Sequence, residues 1–384
     1  MDKKTVAIVM GPIYLGGAER ALINMLKHFD YTNYRVVLWI CGEEQGNIQL
    51  IPPSVEVRYV NSEFAVPDTK SPKAPLSVLK SSYYRLLAKL TIQNDEKNKH
   101  YFSRTLPLVS PENYDCIIAY RGWDASVLRF AFHRLSGKKR IIWMHNDTYD
   151  TQFPFPLYYG KADRIFCVSK TIKQHMLEKY RLSPKKLSVF YNILDEQDVL
   201  RKGELPCTES MEHPALLSVG RLSWEKGFEM IPETAAILKQ KGHTFCWYII
   251  GEGYKRRDIV PKIAEFGVED CVVLLGAKDN PYPFFKACDI FVQTSVTEGY
   301  CITTAEAKLF YKPVVTTNLP VMYEQFRDHS NGLIAEEITP ASLARSIHEL
   351  LSDPTLCQKL SDQLRAEQGN RPDPFPPLYE SIDK

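Results

Sequence analysis

The sequence lacks several features that would assign it to a particular class of protein. No apolar run reaches about 18 residues, the length that spans a bilayer. The apolar stretch before Gly11 has only about six residues, too short for a secretory signal core. The nine cysteines stand singly without a Cys-x-x-Cys pair, which is typical of reduced thiols in the cytosol. We therefore expect a cytoplasmic chain.

Metal-binding patterns are missing as well. The chain has no Asp-x-Asp and no His/Cys cluster with metal-ligand spacing. It also has no internal repeat at a short period and no low-complexity tract. We therefore expect no metal and no bound cofactor.

Length and composition indicate a two-domain globular protein. The chain has 384 residues, of which 44% are hydrophobic and 24% charged. The net charge of +2 is unevenly distributed, because residues 1–192 hold 28 Lys+Arg against 17 Asp+Glu (+11) and the remainder holds 20 against 29 (−9). The basic half suggests an anionic partner such as a phospholipid surface, a lipid phosphate or an acidic polymer. The alternative explanation of the uneven charge is random drift of surface residues. We expect no nucleic-acid partner.

Short β-rich runs alternate with helical patterns along the whole chain. "TVAIVM" reads as a strand buried on both faces of a parallel sheet, and it leads through a glycine turn into the helical "AERALINMLKHF". This alternation predicts an α/β fold with two similar domains facing each other. The predicted divisions are a first domain 1–194, a polar linker 195–214, a second domain 215–365, and a proline-broken tail 366–384 that packs over the surface.

Ligands of open parallel sheets bind beyond the carboxyl ends of the strands, so the residues after each strand are the candidates for a site. In this chain they are Gly16, Gly17, His145, Arg221, Lys226, Glu298, Gly299 and Tyr300. Gly299 to Cys301 precede a helix whose first amides offer an anion site. Arg221 and Lys226 supply cations for a phosphate, while Glu298 and Glu306 could each accept hydrogen bonds from sugar hydroxyls.

Each of these residues also has a purely structural explanation. Thr303 with Glu306, and Ser295 with Glu298, match a helix capping box. Arg221 and Lys226 taken alone are more often solvated surface charges, and Gly16-Gly17 is usually a tight turn. His145 fits a packed, hydrogen-bonded histidine as well as a functional one.

Taken together, the motifs resemble glycosyltransferase family 4. They are "GGAER" at 16, "SVGRLSWEKG" at 218, "IIGEG" at 249, "NPYPFFKACDIFVQTSVTEGY" at 280, Glu306, and "NGLIAE" at 331. The match covers nearly the whole chain and looks most like bacterial enzymes that build capsule, lipopolysaccharide or cell-wall polysaccharides. The resemblance implies a GT-B fold, in which two facing Rossmann-like domains, an acceptor domain and a donor domain, enclose a cleft.

The resemblance also implies an activity and roles for the residues. The activity is transfer of a sugar from a nucleotide-diphosphate sugar, with retention at the anomeric carbon, to a hydroxyl of a glycan or lipid-linked glycan. The implied roles are diphosphate binding for Arg221 and Lys226, donor-sugar binding for Glu298 and His145, ribose binding for Glu306, and backbone contacts from Gly16, Gly17, Gly299, Tyr300 and Cys301.

The leaving diphosphate gains negative charge, which we expect Arg221, Lys226 and the helix terminus to stabilise without a metal. For retention we favour proton transfer from the acceptor to the departing phosphate oxygen over a covalent sugar on a carboxylate. Two other functions stay open: a nucleotide-sugar epimerase or hydrolase, and a non-catalytic subunit that binds a sugar nucleotide. A nicotinamide dehydrogenase is disfavoured because the first glycine turn lacks Gly-x-Gly-x-x-Gly.

The acceptor side has two weaker signals. "YRGWDAS" follows a strand, and Arg121, Trp123 or Asp124 could contact acceptor hydroxyls. Residues 75–90 form a basic amphipathic pattern that would suit either an anionic membrane at the inner face of the cell or an ordinary core-facing helix.

Overall fold

The protein consists of two α/β units, each built on its own parallel sheet. The computed structural model describes residues 2–14, 16–42, 48–60, 103, 104, 106, 108–146, 155–369 and 373–384. The first unit comprises Met1–Ile193 and Asp373–Lys384, and the second comprises Leu194–Pro372. The predicted helix at 75–90 lies outside the described residues.

The sheet of the first unit has the strand order β3-β2-β1-β4-β5-β6-β7, and every described pair is parallel. Its strands are β1 Lys4–Met10, β2 Tyr34–Cys41, β3 Val55–Val60, β4 Asn113–Ala119, β5 Ser136–Met144, β6 Arg164–Cys167 and β7 Leu187–Val189. The apolar run of β1 lies between β2 and β4, and Val6 to Met10 are fully buried. The continuous run thus reflects burial on both faces of the sheet.

Helices cover this sheet, as expected for parallel strands joined by crossovers. They are α1 Gly17–Lys27, α2 Ala125–His133, α3 Phe155–Lys161 and α4 Lys170–Tyr180. A short 3₁₀ turn, Pro184–Lys186, leads into β7. The core between helices and sheet includes Trp39, Phe130 and Tyr159.

The sheet of the second unit has the order β10-β9-β8-β11-β12-β13, also parallel throughout. Its strands are β8 Ala215–Val219, β9 Cys246–Ile250, β10 Val272–Gly276, β11 Ile290–Gln293, β12 Val314–Thr316 and β13 Leu333–Ile334. Its helices are α5 Glu196–Gly203, α6 Ile231–Gln240, α7 Arg256–Glu265, α8 Tyr282–Ala287, α9 Ile302–Leu309, α10 Pro340–Ser352 and α11 Pro354–Ala366. Apolar clusters lie on both faces of this sheet.

The structure differs from the sequence-based interpretation of the segment 195–214 as a linker. Helix α5 occupies its first part, belongs to the second unit, and begins after Asp195, whose side chain accepts a hydrogen bond from the Asp198 amide. Only Val199 and Gly203 of this helix are buried. So short an apolar face leaves little periodicity in the sequence.

The carboxyl-terminal residues also differ from the predicted surface tail. Helix α11 continues to Ala366, and residues 373–384 return to the first unit as helix α12, Pro376–Asp383. The ring of Tyr379 stacks on Tyr34 at 5.0 Å, and Asp383 accepts a hydrogen bond from Tyr34 Oη at 2.9 Å. Aromatic packing therefore makes this segment an integral part of the first unit.

In each sheet the strand order reverses beside one strand, which marks where ligands of open α/β sheets bind. The reversal lies between β1 and β4 in the first sheet and between β8 and β11 in the second. No helix in the described part of the chain is long and apolar enough to cross a membrane.

Candidate functional site

The loop that follows β8 carries the two predicted cations of the second unit. Arg221 is exposed and forms no ion pair with any residue that the structure describes, whereas Lys226 ends a short 3₁₀ turn, Trp224–Lys226. Gly227 follows at φ +61°, and a Cβ there would lie 2.2 Å from the carbonyl oxygen of Thr294. Only glycine therefore lets this loop pack against the end of β11.

Lys226 and Glu298, predicted to bind different parts of one ligand, contact each other directly. Lys226 Nζ lies 2.5 Å from Glu298 Oε1, and the same oxygen accepts a hydrogen bond from Ser295 Oγ at 2.8 Å. Burial lowers the pKa of the Lys226 ammonium, but the Glu298 carboxylate outweighs this effect and holds the pKa above its ordinary value. Lys226 is thus a fixed cation at the reversal point of the sheet.

The amino terminus of α9 comes next along the chain, and no side chain caps it. Cys301 occupies the N-cap position in a left-handed conformation, φ +62°. Gln325 Nε2 donates a hydrogen bond to the carbonyl oxygen of the preceding Tyr300. Burial raises the pKa of the Cys301 thiol to about 11, so the thiol adds no negative charge near neutral pH. The first amides of α9 therefore remain available to an anion.

Glu306 lies in α9 and is buried, with 1% of its surface exposed. Its Oε1 accepts a hydrogen bond from Tyr282 Oη at 3.0 Å. The capping-box explanation of Glu306 is wrong, because α9 begins at Ile302 and Thr303 lies inside its first turn. The capping box of Ser295 is not formed either, since Ser295 bonds to the Glu298 side chain and no helix starts there.

In the first unit, His145 follows β5 and is 5% exposed. Its ring lies 4.7 Å from the Tyr120 ring and 5.5 Å from the Trp123 ring. Burial, and then the nearby Arg121 charge, lower the pKa of His145 to about 3. Its Nε2 is buried and has no hydrogen-bond partner within the described residues. A neutral imidazole with an unsatisfied ring nitrogen is suited to bind an uncharged hydroxyl.

Arg121 follows β4 and forms an ion pair with Glu19, a buried residue in the first turn of α1. Its Nη1 lies 4.0 Å from Asp124 Oδ2 and 2.9 Å from the position that a Cβ at Gly11 would take. Asp124 itself caps α2 by accepting hydrogen bonds from the amides of Ser126 and Val127. The structure thus makes Asp124 a helix cap, and Glu19 restrains Arg121 at the carboxyl edge of the sheet.

Gly16 and Gly17 open α1 as predicted from the glycine turn. Gly16 is the N-cap residue, and no side chain caps the helix. In its first turn the acidic residue is Glu19, which binds Arg121 as described above. The first amides of α1 lie beyond the carboxyl end of β1, where the strand order reverses.

Among the predicted residues, the structure brings Lys226 into contact with Glu298 in the second unit, and Arg121 near Asp124 and Trp123 against His145 in the first. The sequence paired Ser295 with Glu298 only as a helix cap, and it did not indicate a role for Glu19 in "GGAER" or for Tyr282 in "NPYPFF". Glu19 and Tyr282 contact partners 102 and 24 positions away, and spacing in the sequence cannot connect residues so far apart. Within the described ranges, no three His, Cys, Asp or Glu side chains are grouped as metal ligands.

Two family models match the chain over nearly its whole length. The model described as Glycosyltransferase Family 4 matches residues 15–198, and the one described as Glycosyl transferases group 1 matches residues 208–367.

Relatives of the chain are also named as glycosyltransferases. An N-acetylgalactosamine-N,N'-diacetylbacillosaminyl-diphospho-undecaprenol 4-alpha-N-acetylgalactosaminyltransferase of Campylobacter jejuni is 29% identical over 56% of this chain and 59% of its own length. The alignment therefore leaves about two fifths of that relative unmatched. An uncharacterized glycosyltransferase of Haemophilus influenzae is 23% identical over 94% of both chains.

Solved structures share the fold. Anabaena Alr3699/HepE in complex with UDP has a TM-score of 0.68 at 18% identity, with 99% of both chains covered. A TarM variant of S. aureus has a TM-score of 0.72 at 12% identity, covering 99% of this chain and 100% of that one. These likenesses identify the two Rossmann-like units as the GT-B fold.

Proposed function

The chain belongs to the glycosyltransferases described by the Family 4 and group 1 models, and from this premise we propose that it acts in bacterial surface polysaccharide synthesis. In this proposal it moves a sugar from a nucleotide-diphosphate sugar to a hydroxyl of a glycan or lipid-linked glycan. The Campylobacter relative, named for a diphospho-undecaprenol-linked acceptor, supports a lipid-linked acceptor.

The observation that carries the proposal is the set of positive groups at the reversal point of the second sheet. Lys226 is held at 2.5 Å from Glu298, Arg221 is exposed without an ion pair among the described residues, and α9 begins without a side-chain cap. A departing diphosphate gains negative charge, which preorganised cations and helix amides stabilise. These groups supply that charge from protein atoms, which supports a metal-independent reaction.

Lys226 can serve Glu298 and a phosphate together, because an ammonium has three N–H donors. Glu298 uses one oxygen for both Lys226 and Ser295, so its other oxygen can accept a sugar hydroxyl. Buried Glu306 would accept hydrogen bonds from the ribose, with Tyr282 holding its carboxylate in place. We assign Gly299, Tyr300 and Cys301 to backbone contacts with the diphosphate.

In the first unit, we assign the Nε2 atom of His145 to a hydroxyl of the donor sugar and the amides after Gly16 to an anionic group. For retention, the phosphate oxygen that leaves the sugar takes the proton of the attacking hydroxyl on the same face, so the sugar–phosphate bond breaks while the new glycosidic bond forms. His145 has a pKa of about 3 and thus stays neutral, which suits hydroxyl binding better than general-acid catalysis near neutral pH.

The proposal is tested by binding and product analysis with the purified chain. A nucleotide-sugar panel in a thermal-shift assay should raise the Tm for one donor, since a ligand that binds only the folded state stabilises it. NMR of the product should then show the donor's anomeric configuration, with activity unchanged by EDTA.

Arg221→Gln should weaken donor binding, whereas Arg257→Gln, an exposed arginine elsewhere in the same unit, should not. Inverted product or a strict divalent-ion requirement would contradict the mechanism. Free sugar without glycoside would identify a hydrolase, and donor binding without turnover would identify a non-catalytic subunit.

A further inference from the structure

A short turn that follows β12 packs against the beginning of α9. It contains the 3₁₀ segment Pro320–Glu324 and continues into Gln325 and Phe326. Phe326 belongs to the same apolar cluster as Cys301, the N-cap residue of α9. From the last turn of the helix, Lys308 Nζ donates a hydrogen bond to the main-chain carbonyl oxygen of Gln325 at 2.8 Å. Apolar packing and this hydrogen bond therefore fix the position of Gln325 beside α9.

The side chain of Gln325 bonds to the polypeptide at the start of α9. The residue is 9% exposed, and its Nε2 donates hydrogen bonds to the carbonyl oxygens of Tyr300 and Cys301, the second at 3.3 Å. Its Oε1 lies 3.0 Å from Thr304 Oγ1, which is also 2.8 Å from the Cys301 carbonyl oxygen. A single buried amide thus holds two consecutive peptide groups where the helix begins.

These two peptide groups carry the N–H groups of Cys301 and Ile302. In a planar trans peptide the C=O and N–H bonds point in opposite directions. Because both carbonyl oxygens are turned toward Gln325, both N–H groups point away from it. Neither of them donates to a backbone carbonyl or to a capping side chain in the part of the chain that the structure describes. Gln325 therefore determines the direction of two donors that remain available to a ligand.

The backbone of Cys301 needs such a restraint. Its φ of +62° lies in the left-handed region, which residues other than glycine rarely adopt because the Cβ crowds the backbone. A conformation of this kind persists only where the surrounding structure holds it. The hydrogen bonds from Gln325 act on the peptide groups on both sides of Cys301 and so supply this restraint.

We propose that Gln325 is a positioning residue for the transfer reaction. It orients the N–H groups of Cys301 and Ile302 toward the diphosphate before the donor binds. Donors that are already oriented stabilise the charge of a leaving diphosphate without reorganising during the reaction. The inference rests on the proposed function, which assigns the start of α9 to the diphosphate, and it adds a residue that acts through the backbone of that helix.

Two substitutions separate orientation from packing. Gln325→Met keeps a similar volume but loses both hydrogen bonds to the carbonyls, whereas Gln325→Glu also keeps an acceptor for Thr304 and lacks only the N–H donors. Both variants should bind inorganic pyrophosphate about tenfold more weakly than wild type by calorimetry. The kcat of both should fall between about tenfold and a hundredfold while the acceptor KM stays unchanged, because the misdirected amides serve the leaving group.

Thr234→Val is the matched control in the same unit. Thr234 is fully buried, and its Oγ1 donates a hydrogen bond to the Met230 carbonyl oxygen at 2.7 Å, so this substitution also removes a side-chain donor from a carbonyl. It should lower the Tm by about 2–4 °C, as the Gln325 variants do. Its pyrophosphate affinity and kcat should equal those of wild type at a temperature where every variant is folded.

Three results overturn the inference: wild-type kcat and pyrophosphate affinity in either Gln325 variant, an equal loss of kcat in Thr234→Val, or no pyrophosphate binding by the wild type. Pyrophosphate binding that depends on Gln325, in a chain without transferase activity, overturns only the proposed function.

Discussion

Replacing Lys226 by methionine tests whether the Lys226–Glu298 pair serves binding or only stability. In the wild type, Glu298 Oε1 receives Lys226 Nζ at 2.5 Å and Ser295 Oγ at 2.8 Å. The Glu298 side chain is 10% exposed, so the carboxylate left in Lys226→Met keeps Ser295 as its described partner in a mostly dry position. We expect a loss of about 1–3 kcal/mol in the free energy of unfolding.

The double variant Lys226→Met/Glu298→Gln separates the two roles. The double variant has neither charge, so no unpaired carboxylate is left in this mostly buried position. Its free energy of unfolding should therefore return to within about 1 kcal/mol of wild type. Activity should not return, because a missing cation at the leaving diphosphate costs on the order of a hundredfold in kcat. Recovered stability with lost activity is the expected signature.

The assays are urea unfolding, calorimetric binding of the donor, and initial rates. Lys286→Met is the matched control, since Lys286 pairs with Glu204 in the same unit and both side chains are at least half exposed. It should change stability by about 0.5 kcal/mol or less. The reasoning is refuted if the double variant regains full activity, or if Lys226→Met leaves both stability and donor affinity unchanged.

Three further predictions concern the first unit. Because burial holds the pKa of His145 at about 3, well below the ordinary 6.5, NMR of the labelled ring should show a neutral imidazole from about pH 5 to 8, and a titration near 6.5 would contradict it. Below pH 6.5 the unfolded chain binds a proton that folded His145 does not, so stability decreases as the pH is lowered, by up to about 1.4 kcal/mol per pH unit, and His145→Gln should remove this slope. Partial burial raises the pKa of Glu112, but hydrogen bonds from Arg35 and its neighbours prevail and lower it from 4.5 to about 2. Its stabilisation is therefore complete above pH 4.5 and lost as pH falls through 2, and Glu112→Gln should cost about 1–2 kcal/mol at neutral pH by chemical denaturation, with a flatter profile in that range. Glu19→Gln should release Arg121, cost about 2 kcal/mol in stability, and raise the acceptor KM about tenfold more than the donor KM. Equal KM values in wild type and Glu19→Gln would show that the pair is only structural.

Much of the fold followed from periodicity in the sequence. The helical pattern "AERALINMLKHF" corresponds to α1, Gly17–Lys27, and the continuous run "TVAIVM" is the buried strand β1. These elements are long or fully buried, so their hydrophobic pattern is strong. Helix α5 was missed because only two of its residues are buried, and its stability comes from a cap and from packing within the second unit.

The candidate site was predictable only in part. Arg221, Lys226 and Glu298 were predicted as site residues because they follow the carboxyl ends of strands, where ligands of open parallel sheets bind. Their mutual contact was not predictable, nor was the role of Asp124 as the cap of α2. Several residues near the start of a helix can match a capping pattern. Which of them caps the helix depends on the residue at which the helix begins.

The sequence by itself determined the strands, the alternation with helices and the residues that stand at strand ends, because burial and backbone preferences act over a few neighbouring positions. The tertiary structure decided the partners. Lys226 meets Glu298 across 72 positions, and Arg121 meets Glu19 across 102. These contacts arise because parallel strands return their carboxyl ends to one edge of a sheet, and a charge buried at that edge is stable only beside its opposite.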